Sequence, residues 1–156
     1  ANPPGVPEPY ALLVPGASPH RPAKRWPTPF FGQLATILVK AGITPVVVGT
    51  GPEGELAKLI LEYCPQVVDL TGQTDLPGLA ALAARARFAV GNDTGPMHLA
   101  AAMGCLCVTL FSYESDPSRT QPRSPTGQAM IMLREDNLAD LPVDEVTAAL
   151  STADLL

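Results

Sequence analysis

The feature that most constrains this chain is an alternation: short, largely apolar runs of three to five residues are separated by stretches whose apolar residues recur at helical spacing. Tyr10–Val14 is followed by Phe30, Phe31, Leu34, Ile37 and Leu38 at helical period, stopping at Ala41-Gly42. Pro45–Val48 precedes a helix expected over Glu53–Tyr63, with Leu56, Leu59, Ile60 and Tyr63 on one stripe. Val67–Leu70 leads to an Ala/Leu-rich helix over Leu76–Ala86, and Phe88–Val90 to a small-residue helix from Pro96 to Met103. Cys107–Phe111, a polar Pro-rich loop over Ser112–Gln128, a strand over Ala129–Leu133 and a helix over Val143–Ser151 complete the series. Continuous apolar strands separated by helices imply parallel strands covered on both faces by right-handed crossovers. The expected fold is therefore α/β, a doubly wound parallel sheet of about six strands, with ligands at the carboxyl ends of the strands.

Size and composition agree with one such unit. The 156 residues suit a single hydrophobic core, and 46% hydrophobic against 16% charged residues excludes a disordered chain. No apolar run approaches the roughly 18 residues of a spanning helix. Residues 1–9 carry four prolines and lack the pattern of a signal peptide; they read as an interdomain linker, with the domain proper over 10–156. With no initiator Met, the chain reads as a processed product or an excised fragment. Cys64, Cys105 and Cys107 have no metal-ligand spacing and read as small buried hydrophobes of a reduced, cytosolic protein.

A net charge of −5 argues against nucleic acid as a partner. The charge is nonetheless uneven. No acid stands between Glu8 and Glu53, where Arg21, Lys24, Arg25 and Lys40 lie, so a small anionic ligand suits this region better than a polyanion.

Three strand-end loops carry the candidate chemistry. Gly49-Thr50-Gly51-Pro52-Glu53-Gly54 follows a strand and opens a helix, with Asp69 at the end of the next strand, as in a dinucleotide site. Against that reading, the motif follows the second strand, and Glu53 sets a carboxylate at the helix start where a pyrophosphate would lie. A structural turn, with Glu53 starting the helix, is the competing reading. In the second loop, Gly91-Asn92-Asp93-Thr94-Gly95-Pro96-Met97-His98, free N–H groups around Thr94 and Gly95 offer an anion site, and His98 lies one turn in. Taken singly, Asp93 is equally a helix cap and His98 a half-buried imidazole. In the third, Pro15-Gly16-Ala17-Ser18 leads to Lys24-Arg25-Trp26-Pro27; Lys24 or Arg25 supplies charge for phosphate oxygens, and Trp26 anchors the loop to the core. Together these make a diphosphate site without a metal cage. No zinc spacing, Walker sequence or nucleophile elbow is present, and neither a metal nor a cofactor is expected.

These strings, with Asp69-Leu70-Thr71-Gly72-Gln73-Thr74-Asp75-Leu76 and the Asp116-Pro117 that follows Phe111, resemble the carboxyl-terminal half of the family 9 glycosyltransferases, the ADP-heptose:lipopolysaccharide heptosyltransferases and their relatives. The resemblance runs from about Tyr10 to Leu133. It implies one Rossmann-like half of a GT-B enzyme, the donor-binding domain of an inverting, metal-independent transferase, with ADP-heptose as donor and a lipopolysaccharide core acceptor. Ser18, Lys24 and the backbone at Thr94 and Gly95 would contact the diphosphate, Lys24 also stabilising charge in the transition state. Asp93 and His98 would face the sugar. Glu55, with Glu53 as second choice, would hold the ribose, and the Thr74 region would border the adenine. The family's amino-terminal, acceptor-binding domain, which carries its candidate general base, has no counterpart in these residues, so the chain alone is expected to be inactive. The resemblance also implies a cytoplasmic protein, peripheral at the inner membrane in the intact enzyme. Two alternatives stay open: a non-catalytic nucleotide-binding module, and a dinucleotide-dependent oxidoreductase domain using the Gly49-Gly51-Gly54 turn.

Overall fold

The computed structural model describes residues 5–16, 25–112 and 131–156. Six parallel strands form one sheet: β1 (Tyr10–Val14), β2 (Thr44–Val47), β3 (Val68–Asp69), β4 (Phe88–Asn92), β5 (Cys107–Phe111) and β6 (Ile131–Arg134), in the order β3-β2-β1-β4-β5-β6. The helices are α1 (Thr28–Lys40), α2 (Gly54–Tyr63), α3 (Leu76–Arg85), α4 (Gly95–Ala102) and α5 (Val143–Thr152). The doubly wound parallel sheet expected from the apolar pattern is therefore present, with β1 and β5 at the expected bounds and the other strands shifted by one or two residues.

Each strand alternates its side chains between two cores, as the pleat requires. Ala11, Leu13, Val47, Val90 and Val108 face Phe31, Leu34 and Leu38 of α1, Ala57 and Ile60 of α2, and Val146 and Leu150 of α5. Leu12, Val14, Val46, Ala89 and Cys107 face Leu82 and Ala83 of α3 and Met97, Ala100 and Ala101 of α4. The strand order reverses between β1 and β4, which pair directly with Val14 opposite Gly91. A doubly wound sheet opens its ligand crevice at that reversal.

Two local expectations need correcting. The buried face of α2 is Ala57 and Ile60, whereas Leu59 and Tyr63 are about half exposed. α2 packs along α1, where Gly32 lets the two helices approach so closely that a Cβ there would lie 2.5 Å from Tyr63 Cβ. On α4, Ala100 and Ala101 pack on the sheet but Ala102 turns outward. Cys64, Cys105 and Cys107 are free and buried, as their composition suggested. A hydrogen bond with Cys107 holds the Cys105 thiol below its usual pKa, and the same bond together with burial pushes Cys107 up. Val6 packs against the α3/α4 core, and Glu8 pairs with Arg85 at 3.1 Å. Among the described residues no helix is long and apolar enough to cross a membrane.

Candidate functional site

At the carboxyl ends of β2 and β3 lies a cleft of about 430 Å³, walled by Gly49, Thr50 and Gly51 on one side and by Thr74, Leu76 and Leu79 on the other, with Pro96 of α4 at its end. That volume lies in the range of small-ligand sites. Leu76 is 74% exposed and, with Leu79, gives one wall an apolar surface.

Local chemistry shapes each loop. Gly72 has φ +70°, a backbone region that favours glycine, and a Cβ there would lie 3.0 Å from Gly51 Cα. Its N–H donates to the Gly49 carbonyl at 2.8 Å, so the two loops are laced together. Asp75 caps α3 by accepting from the Gly78 N–H at 2.7 Å. Asp69, the acid that a dinucleotide site would need for a ribose, is instead taken up locally: its Oδ1 accepts from the Thr71 N–H at 2.9 Å and the Thr71 hydroxyl at 2.6 Å.

The Gly-rich turn is closed by Glu53. Its Oε1 accepts from the Thr50 N–H at 2.8 Å and the Thr50 hydroxyl at 3.2 Å, a capping box on the short 3-10 turn Gly51–Glu53. The same carboxylate reaches back to the end of β1, against Gly16 and Gly49. The helix start that an oxidoreductase would offer to a pyrophosphate is thus occupied by an anion of the protein itself. Glu55, by contrast, points to solvent, 81% exposed at its side chain, and pairs with Lys58 at 3.3 Å. The carboxylate set among the strand ends is Glu53, two positions before the residue expected for the ribose.

The start of α4 is different again. Its N-cap Thr94 makes no side-chain capping bond, and no acid lies in the first turn. Of the three helix starts around the cleft, this one has neither an acid in its first turn nor a side-chain cap, so its N–H groups are open to an incoming anion, with the Asp93 carboxylate standing just before them. Gly95 is exposed, directly before Pro96 of the cleft wall. Beside it Asp93, only 5% exposed at its side chain, lies 3.0 Å from Nε2 of the half-exposed His98. The carboxylate therefore orients the imidazole while capping nothing.

The structure thus gathers Thr74, Thr94, Gly95, Asp93 and His98 along the carboxyl edge of the sheet and removes Glu55 from it. Ser18 and Lys24 lie outside the described residues. Trp26 does anchor its loop: 1% exposed, it stacks edge-on against Phe31 with ring centres 4.9 Å apart, and its indole N–H donates to the Leu141 carbonyl at 2.9 Å. Neither Asn92 nor the Leu76/Leu79 wall is among the site residues expected from the sequence. The signal for Asn92 was available, since a polar residue at the end of an apolar strand is seldom there for strand propensity. Among the described residues no group of three or more His, Cys, Asp or Glu is placed to share a metal ion.

Sheet order and loop placement define a Rossmann-type α/β domain whose working edge is the carboxyl end of the sheet. Comparison with known proteins is more specific. The model of glycosyltransferase family 9 (heptosyltransferase) matches residues 1–147, and the chain belongs to this family. It is 36% identical over 133 residues to lipooligosaccharide heptosyltransferase 2 of Haemophilus ducreyi, covering 80% of this chain and 36% of that protein. With lipopolysaccharide heptosyltransferase 2 of Escherichia coli it shares 36% identity over 121 residues, 74% of this chain and 34% of that one. The chain therefore spans about a third of the length of these relatives. The solved structure of the E. coli ADP-heptose lipopolysaccharide heptosyltransferase II superposes with a TM-score of 0.80 at 29% identity, over 92% of this chain and 46% of that one. The E. coli heptosyltransferase WaaC, solved with ADP, gives 0.80 at 27% identity, over 92% and 43%.

Proposed function

We propose that this chain is the donor-binding domain of an inverting heptosyltransferase, with ADP-heptose as its nucleotide sugar and a lipopolysaccharide core saccharide as acceptor. The observation that carries the reading is the succession along one sheet edge: an apolar-walled cleft at Thr74, Leu76 and Leu79, a carboxylate at Glu53, and an uncapped helix start at Thr94-Gly95 beside the Asp93–His98 pair. An adenosine diphosphate sugar has those parts in that order: a flat apolar base, a ribose diol, a diphosphate and a polar sugar. Adenine fits against Leu76 and Leu79 with Thr74 at its edge. Glu53, rather than the outward Glu55, accepts from the ribose hydroxyls. The α4 N–H groups, with Ser18 and Lys24, take the diphosphate, and Asp93 and His98 face the heptose.

In the reaction so read, an acceptor hydroxyl attacks the anomeric carbon from the face opposite the leaving group while the bond to the diphosphate oxygen breaks. Charge develops on ADP, where Lys24 and the α4 dipole stabilise it in a preorganised way. Asp93, its side chain buried and bonded to His98, is assigned to orienting the imidazole. The general base is assigned to the amino-terminal, acceptor-binding domain of the intact enzyme, outside residues 10–156, with residues 1–9 as the connecting linker; transfer is assigned to the cytoplasm. A non-catalytic nucleotide-binding role shares the same donor site and differs only in lacking that domain.

Calorimetric titration of the chain with ADP-heptose, ADP, UDP and NAD, each with EDTA present, tests this reading. ADP-heptose and ADP should bind tightest, with affinity unchanged by EDTA. Preference for NAD, or a strict need for a divalent ion, would overturn it.

A further inference from the structure

The cleft at the ends of β2 and β3 is lined by three side chains that carry polar atoms: Thr50, Thr74 and Asp75. The Thr50 hydroxyl is committed to Glu53 Oε1 at 3.2 Å. Asp75 divides its carboxylate. Its Oδ1 accepts from the Gly78 N–H at 2.7 Å and caps α3, whereas Oδ2 makes no bond to the described residues. Two uncommitted polar groups therefore remain among the lining side chains, the Thr74 hydroxyl and Asp75 Oδ2. They differ in what they can read. A hydroxyl both donates and accepts, so it tolerates either kind of base edge, while a carboxylate only accepts. Asp75 is also the one charged side chain among the described residues of the lining.

We infer that Asp75 is the base-selecting residue of this cleft: its Oδ2 accepts a hydrogen bond from the exocyclic amine of adenine and disfavours a purine that carries a carbonyl at that position. This rests on the nucleotide reading above, which sets the base against Leu76 and Leu79, on the first turn of the helix that Asp75 caps. A flat base covers that apolar wall with its face and turns its edge to what borders the wall, and Thr74 and Asp75 border it. An amine there supplies the proton that a carboxylate needs, whereas a carbonyl would set lone pairs against a group with no proton to give. The cap makes the acceptor a fixed one, because Oδ1 is held on the Gly78 N–H. It also decides what a substitution does. In Asp75→Asn the side-chain oxygen must stay on that N–H, since an amide nitrogen cannot accept, and the NH2 group takes the place of Oδ2. An acceptor becomes a donor with α3 still capped. In Asp75→Ser the single hydroxyl oxygen serves as the cap and nothing replaces Oδ2.

The test titrates adenosine and inosine, which carry an amine and a carbonyl at the same ring position, by NMR into the full chain as wild type, Asp75→Asn and Asp75→Ser. Asp75 is exposed, so water competes for Oδ2, and wild type should bind adenosine about fivefold or more tightly than inosine. Asp75→Ser should bring the two affinities within about twofold, and Asp75→Asn should remove the preference or reverse it, its amide donating to the inosine carbonyl. The ratio of two affinities measured on one variant is unaffected by partial unfolding, because the folded fraction scales both equally. Equal binding or a preference for inosine in wild type would overturn the inference, as would the wild-type preference surviving in either variant. A wild type that binds neither nucleoside would overturn the nucleotide reading and the role of Asp75 with it, whereas one that binds both alike would overturn the role alone.

Discussion

The carboxylate of Glu53 occupies the space that a side chain on Gly16 would need: a Cβ there would overlap Oε2 and lie 2.9 Å from Oε1. The end of β1 and the turn after β2 are therefore fitted to each other through one acid. The obstructing atoms are the tip of a flexible side chain, so Gly16→Ala should displace the carboxylate rather than unfold the domain. Stability should change by less than about 1 kcal/mol, while adenosine binding weakens because its proposed ribose partner has moved. Denaturant melts paired with adenosine titrations check this, and unimpaired adenosine binding would count against Glu53 as the ribose ligand.

Glu53 and Glu55 offer a direct comparison. Glu53→Gln removes a charged acceptor at the strand ends and should lower ADP affinity by roughly ten- to hundred-fold, the loss of a charge-assisted bond of about 1.5–3 kcal/mol. Glu55→Gln breaks only a solvent-exposed pair with Lys58 and should change binding by less than about 1 kcal/mol. Parallel titrations of the two variants decide between them, and a larger loss at Glu55 would restore it to the site.

Gly91 tests the packing beneath the site. A Cβ there would lie 2.6 Å from Val14 Cβ, 2.8 Å from the Val14 carbonyl oxygen and 2.9 Å from Met97 Sδ, all buried. Backbone cannot yield as a side-chain tip can, so Gly91→Ala should destabilise the domain by about 1–3 kcal/mol. A shift in urea midpoint with unchanged slope would agree with this, and an unshifted midpoint would not.

How much of this was legible in the residues follows from their physics. The apolar strands, buried on both faces, spelled out the sheet because parallel strands need continuous apolar runs, and Tyr10–Val14 and Cys107–Phe111 coincide with the strands observed. The α4 start was legible too, since Thr94-Gly95-Pro96 states its own turn chemistry. Placing Glu55 before Glu53 as the ribose partner has no basis in local pattern, because the two are two apart at one helix start and only the fold of the Gly51–Glu53 turn decides which carboxylate swings inward. The α2 stripe misled for a similar reason: Leu59 and Tyr63 have helical spacing with Ile60, but close packing at Gly32 rotates Ala57 into the core in their place. Asn92 bonds backbone groups of Trp26 and Pro15, far from it in sequence, which no local pattern can show.

Lys24 and Arg25 form a charge-matched pair. Lys24→Ala should weaken ADP binding by roughly ten- to hundred-fold through loss of a charge-assisted phosphate contact. Arg25→Ala should cost less than about 1 kcal/mol. Both substitutions remove one positive charge, so long-range electrostatics are matched, and titration at one ionic strength isolates the local contact. Equal losses would indicate a diffuse basic field.

The central claim is that ADP lies along the carboxyl edge with its base at β3 and its phosphates at α4, and a crystal structure of the chain with ADP tests it most directly. The account predicts adenine against Leu76 and Leu79, ribose hydroxyls on Glu53, and diphosphate oxygens on the N–H groups at Thr94 and Gly95. A diphosphate seated instead on the Gly49-Gly51-Gly54 turn would contradict it.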